Sequence, residues 1–84
     1  MHMNGNEIIR RRKALGLTQT ELGEAVGVHY LTVHRWEAGK SRPSSLAARL
    51  LEETLARLEK EQERRAAKRA AYAARTRQNE DGLQ

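Results

Sequence analysis

Apolar side chains along residues 1–58 recur at helical spacing in short bursts closed by glycines, and no stretch alternates with the two-residue period of a strand. Asn4 stands three positions before Glu7, a capping-box-like start, and Gly16 suits a left-handed stop. The pattern therefore predicts a first helix over residues 5–15, with Ile8, Arg12 and Leu15 along one face. Thr18-Gln19-Thr20-Glu21 is a cleaner capping box, in which the Thr18 hydroxyl accepts from the Glu21 N–H while the Glu21 side chain returns to the cap. Leu22, Ala25 and Val26 give the apolar stripe of a short second helix ending at Gly27. A residue or two later a third helical pattern begins, residues 29–38, in which Val33 and Trp36 face the same way. Residues 39–43 read as a loop between Gly39 and Pro43, with Ser44 the cap of the next helix.

From residue 45 to about residue 78 neither Gly nor Pro interrupts the chain, and Ala, Leu, Glu, Arg and Lys dominate, which predicts one long helix. Leu46, Leu50, Leu51, Leu55 and Leu58 form a stripe broad enough to pack on the first three helices and leave a surplus. Leu51, Leu55 and Leu58 are the expected homodimer surface, the alternative being that all of them close the core of a single chain. Beyond Leu58 the same spacing lands on Gln62, Arg65, Arg69 and Tyr72, which cannot form a coiled-coil seam. The chain thus divides into a domain over residues 1–58 and a basic, Ala-rich helical tail over residues 59–84, frayed from Asn79 onward.

A length of 84 residues allows one small domain and excludes a multidomain enzyme. Without cysteine, and with only Trp36, Tyr30 and Tyr72 as aromatics, the core has to be aliphatic and helical, with no disulfide or thiolate metal site to staple it. The longest apolar runs are too short for a membrane helix or a secretory leader, so a cytoplasmic protein is expected. His29 and His34 lie five apart on one short helix, and with His2 they have no carboxylate or thiol at ligand spacing, so neither a metal nor another cofactor is expected. No Ser/His/Asp set, phosphate loop or paired carboxylates point to an enzyme.

Net charge is +5, unevenly spread: residues 1–58 hold nine basic and six acidic side chains, whereas residues 64–77 hold six basic and none acidic. Such a chain attracts polyphosphates, and composition does not separate nucleic acid from an anionic membrane. The motifs decide. Leu17-Thr18-Gln19, Glu21-Leu22, Gly27-Val28, Val33, Arg35-Trp36-Glu37, Gly39-Lys40 and Pro43 resemble the Cro/XRE-type helix-turn-helix family of phage repressors and bacterial regulators over roughly residues 7–58. The resemblance implies an all-α fold, a small helix-turn-helix bundle of four to five helices with a long C-terminal helix here, and a third helix lying in the major groove of double-stranded DNA.

With Val33 and Trp36 facing inward, Tyr30, Leu31, His34 and Arg35 are the candidate base readers. Arg35 can pair with guanine O6 and N7, or else serve a phosphate or an intramolecular contact; Leu31 can meet a thymine methyl, or be a scattered surface leucine; Tyr30 and His34 reach a base or a phosphate. Protonated His29 or His34 would add charge at this face. The resemblance also implies a phosphate role for Gln19, which braces the third helix, the alternative being a solvated amide at the start of the second, and a structural ion pair between Arg12 and Glu37. Lys40, Arg42 and Thr32 are the remaining candidate phosphate contacts.

Two departures from the family pattern stand out. Arg11 occupies a position that is usually a leucine in the family it resembles, so its stem must snorkel past the core or the first helix must rotate slightly. No breaker creates a separate fifth helix after Leu55. For residues 64–77 three roles are open: a solvated helix, a phosphate-contacting arm, or a segment that orders on a partner around Tyr72. The function expected is a transcriptional regulator, most simply a dimeric repressor reading a palindromic operator. The alternatives are an antitoxin or autoregulator that binds a protein partner through residues 59–78, and an interaction module that uses the motif as a scaffold.

Overall fold

The computed structural model describes the backbone of residues 3–82 and the side chains of residues 3–76; His2, and Leu83 and Gln84 of the expected frayed end, lie outside the described residues. Four helices follow one another, α1 (Gly5–Ala14), α2 (Gln19–Val26), α3 (Tyr30–Glu37) and α4 (Ser45–Gly82), with no strand among the described residues. Their starts are the capped ones that local chemistry favours. The Asn4 side chain accepts from the Glu7 N–H at 2.8 Å, Thr18 and Glu21 form a reciprocal capping box, and Ser44 Oγ accepts from the Ala47 N–H at 3.1 Å.

Each helix sends side chains to one centre. Ile8 of α1, Leu22 of α2, Val33 and Trp36 of α3, and Leu51 and Leu55 of α4 are buried together, with Met3, Leu15, Leu17, Val26, Val28 and Ala47 around them. Side chains of this kind contribute about 1.5–3 kcal/mol each on burial, so the aliphatic centre is the main term holding the domain together.

Two expectations about the apolar stripes are corrected. Ala25 is exposed, and the buried face of α2 is instead Leu22 with Gly23, flanked by Val26. The reason is steric: a Cβ on Gly23 would stand 2.7 Å from the Val28 carbonyl oxygen, so the missing side chain is what lets the turn fold back against α2. Gly27 closes the helix at φ +96°, and the Gly23 carbonyl accepts both the Gly27 and Val28 N–H groups at 2.8 Å. In α4, Leu51 and Leu55 are fully buried within the single chain and Leu58 is half-buried, so Leu51 and Leu55 close the domain core and present no face to a second copy. The leucines that α4 leaves in solvent are Leu46 and Leu50.

Arg11 snorkels. Its guanidinium makes a bidentate pair with Glu59 (Nε to Oε2 2.8 Å, Nη2 to Oε1 2.6 Å) and reaches Glu52 at 2.6 Å, so this residue ties α1 to α4 by charge. The Arg11 hydrogen bonds hold the Glu59 carboxyl below its ordinary value, and Glu59, then Glu52, push Arg11 further up. Gln62 adds a last hydrogen bond, to the Ala14 carbonyl at 3.3 Å.

Past this point α4 runs on through Gly82, and the side chains of residues 62–75 are all exposed. Its 38 residues rise about 57 Å at 1.5 Å each, which accounts for an elongated molecule of 61 × 20 × 20 Å. No described helix is long and apolar enough to cross a membrane.

Gly23→Ala is expected to destabilise the domain by about 1–3 kcal/mol, as overpacking does, while Ala25→Ser on the exposed side stays within about 0.5 kcal/mol; urea unfolding of both variants checks this.

Candidate nucleic-acid interface

Helix α3 starts on a side-chain cap, the His29 Nδ1 accepting from the Leu31 N–H at 3.2 Å. Sequence reasoning gave His29 only a possible charge; as a cap its unprotonated Nδ1 is the useful form, and the residue fixes where the first turn of α3 begins. Val33 and Trp36 point into the core, which turns Tyr30, Leu31, His34 and Arg35 outward along one strip, all four exposed. Tyr30 and Leu31, at 45% and 41% exposure, are bulky groups left in water at the N-terminal turn of a short helix. Thr32 is half-buried beside them.

The loop after α3 folds over its end. Lys40 N–H donates to the Arg35 carbonyl at 2.9 Å, so Lys40, exposed, stands at the end of the strip, while Arg42, also exposed, lies further along and lines a groove with Asn4, Gly5, Trp36 and Pro43.

What orients α3 is a network centred on Glu37, whose side chain is 4% exposed. Arg12 of α1 donates to both its oxygens, Nε to Oε2 at 2.6 Å and Nη2 to Oε1 at 3.0 Å, and a third Arg12 bond goes to the Leu17 carbonyl at 2.9 Å. Gln19, first residue of α2, donates from Nε2 to Glu37 Oε1 at 2.9 Å. The end of α3 is thereby fixed to α1 and to the start of α2 at once. Gln19 Nε2 carries a second proton, and its position at the N-terminus of α2 places it among helix N–H groups that attract an anion.

Burying a charge pair does not by itself add much stability, because desolvation offsets the attraction; its effect is to specify geometry, since removing one partner strands the other. Sequence reasoning missed the Leu17 carbonyl as part of this network and the Glu52–Arg11–Glu59 clamp; the clamp did leave a signal, two carboxylates seven apart on one helix and so on one face.

A second and third helix joined by a glycine turn, the third carrying an exposed strip with Lys40 at its end, define a helix-turn-helix DNA-binding domain. A helix-turn-helix family model matches residues 8–62, and the chain belongs to the Cro/C1-type (XRE) helix-turn-helix family, whose members are DNA-binding regulators. No curated protein matches the chain significantly.

Glu37→Ala is expected to lower stability by about 3 kcal/mol by leaving the Arg12 charge without its carboxylate, and the double change Arg12→Met with Glu37→Leu to recover most of the loss; chemical denaturation of the three proteins measures it.

Proposed function

We propose that the protein is a sequence-specific transcriptional regulator that binds its operator as a dimer and represses by occluding a promoter. The observation that carries this reading is the exposed strip of Tyr30, Leu31, His34 and Arg35, held rigid from behind by Val33, Trp36 and the Glu37 network. In the major groove Arg35 donates two parallel hydrogen bonds to guanine O6 and N7, and Leu31 packs on a thymine methyl. Tyr30 and His34 supply hydrogen bonds at neighbouring positions. Phosphates on one side meet Gln19 and the N–H groups at the start of α2; on the other side they meet Lys40 and Arg42, with Thr32 at the edge.

A single domain covers one half-site, and two copies read half-sites spaced by about 10 bp or a multiple of it. Since Leu51 and Leu55 are spent on the core, the apolar groups left for pairing are Leu46 and Leu50, four apart on α4 and 66% and 42% exposed, together with half-buried Leu58. Nothing in this reading requires catalysis or a cofactor, and a cytoplasmic location follows from DNA as the ligand.

Arg35→Ala is expected to weaken binding to the preferred site by about 1–3 kcal/mol and relax the preference at one base position, whereas Lys40→Ala weakens binding to all duplexes alike. Equilibrium titration against the preferred site and against scrambled duplex separates the two effects. Equal losses on both duplexes for Arg35→Ala would remove it from the base-reading strip.

A further inference from the structure

The part of α4 that leaves the domain has two unlike sides. At 3.6 residues per turn, Arg64, Arg65, Lys68, Arg69, Tyr72 and Arg75 fall within an arc of about 140°, and the alanines at positions 66, 67, 70, 71, 73 and 74 fill the rest. All of these side chains are exposed, and among the described residues no ion pair engages any of the five cations. The domain treats several of its own arginines differently: Arg11, Arg12, Arg49 and Arg57 all face carboxylates.

The basic side also begins at a particular place. Arg65 and Arg69 line one groove, of about 340 Å³, with Leu15, Leu17 and Leu58, and Gln62 just before them is bonded to the end of α1. The helix therefore departs beside the α1–α2 connection at Leu15 and Leu17, the segment that leads in sequence into Thr18 and Gln19 and so into the end of α2 to which the proposed function gives a phosphate.

We propose that this basic side of α4, Arg64 to Arg75, is a second duplex-binding element that lies along the phosphates flanking the site read by α3. Its placement on the flank rests on α3 reading the major groove as proposed above. The ligand class is the sugar–phosphate backbone of double-stranded DNA, contacted without regard to sequence. Five cations spread over about 16 Å of helix meet a polymer that carries one charge per about 1.7 Å of its axis. Tyr72 sits in the same arc as a hydrogen-bond donor to phosphate oxygen. A second copy of the helix is a poorer occupant, because it would bring like charges together across an alanine surface that buries little. A bilayer surface is poorer too, since the side opposite the cations lacks the Leu, Phe or Trp that such helices insert.

The test uses the full chain and a variant in which Arg64, Arg65, Lys68, Arg69 and Arg75 are all changed to Gln, which removes charge while keeping length and helix propensity; circular dichroism verifies the helix. On a random-sequence duplex of about 40 bp, the slope of log K against log salt is expected to be shallower by about 2–4 for the variant, and its binding about 10- to 100-fold weaker near 0.1 M salt. On a short hairpin duplex that holds one half-site and no flanking base pairs, the difference between the two proteins is expected to shrink to about twofold. Equal slopes on the long duplex overturn the proposal, and so does a variant that keeps its DNA binding but loses self-association, which would assign this side to a second copy. The reading of α3 is judged separately, by whether the unaltered protein prefers any sequence at all, whereas the tail is judged only by the difference in slope.

Discussion

A carboxylate that is 4% exposed must have its charge answered inside the protein, and Glu37 has it answered from two directions, by the Arg12 guanidinium on α1 and by the Gln19 amide on α2. Helix α3 has only eight residues, too few to hold its own shape or direction by backbone hydrogen bonds. Its outward strip can present a fixed pattern only because Val33 and Trp36 set its rotation and Glu37 sets where its end lies. The same Gln19 that receives this geometry is the residue proposed to meet a phosphate, so the ion pair couples the groove-reading helix to a backbone contact. That coupling turns a buried pair of little net stabilising value into a positioning device.

The remaining architecture adapts a small chain to this requirement. Six apolar side chains and no disulfide make a core barely sufficient for a domain of this size. Charged clamps extend it at the edges, with Arg11 joining α1 to Glu52 and Glu59 of α4. That clamp draws α4 down the side of α1 until Gln62 and then releases it as a free helix. Positive charge is sorted by the same geometry: Arg11 and Arg12 near the core are neutralised by carboxylates, while Arg35, Lys40, Arg42 and the five cations from Arg64 to Arg75 face solvent.

Most of the fold was legible because its signals are local. The Asn4, Thr18 and Ser44 caps and the glycine at 27 each act within a few residues, and all four stand where the pattern put them. The inward direction of Val33 and Trp36, and hence the outward strip, followed from helical period alone. What was not legible depends on closeness between elements. Ala25 and Gly23 cannot be ranked by hydrophobicity, because the turn carbonyl that forbids a side chain at 23 belongs to Val28. Likewise five leucines on one helix reveal a wide apolar stripe but not which of them the first three helices will cover; Leu51 and Leu55 went inside, Leu46 and Leu50 did not. His29 as a cap and the carbonyl of Leu17 as an acceptor are backbone-level details that residue type does not announce.

Base reading by the strip on α3 is tested by selecting bound duplexes from a random pool with the purified 84-residue protein. A strip that reads bases in each copy of a dimer enriches a dyad-symmetric site, with the strongest preferences confined to a few adjacent base pairs in each half and the halves about 10 bp or a multiple apart. Recovery of duplexes with no enriched sequence, at salt where the protein still binds, would contradict it.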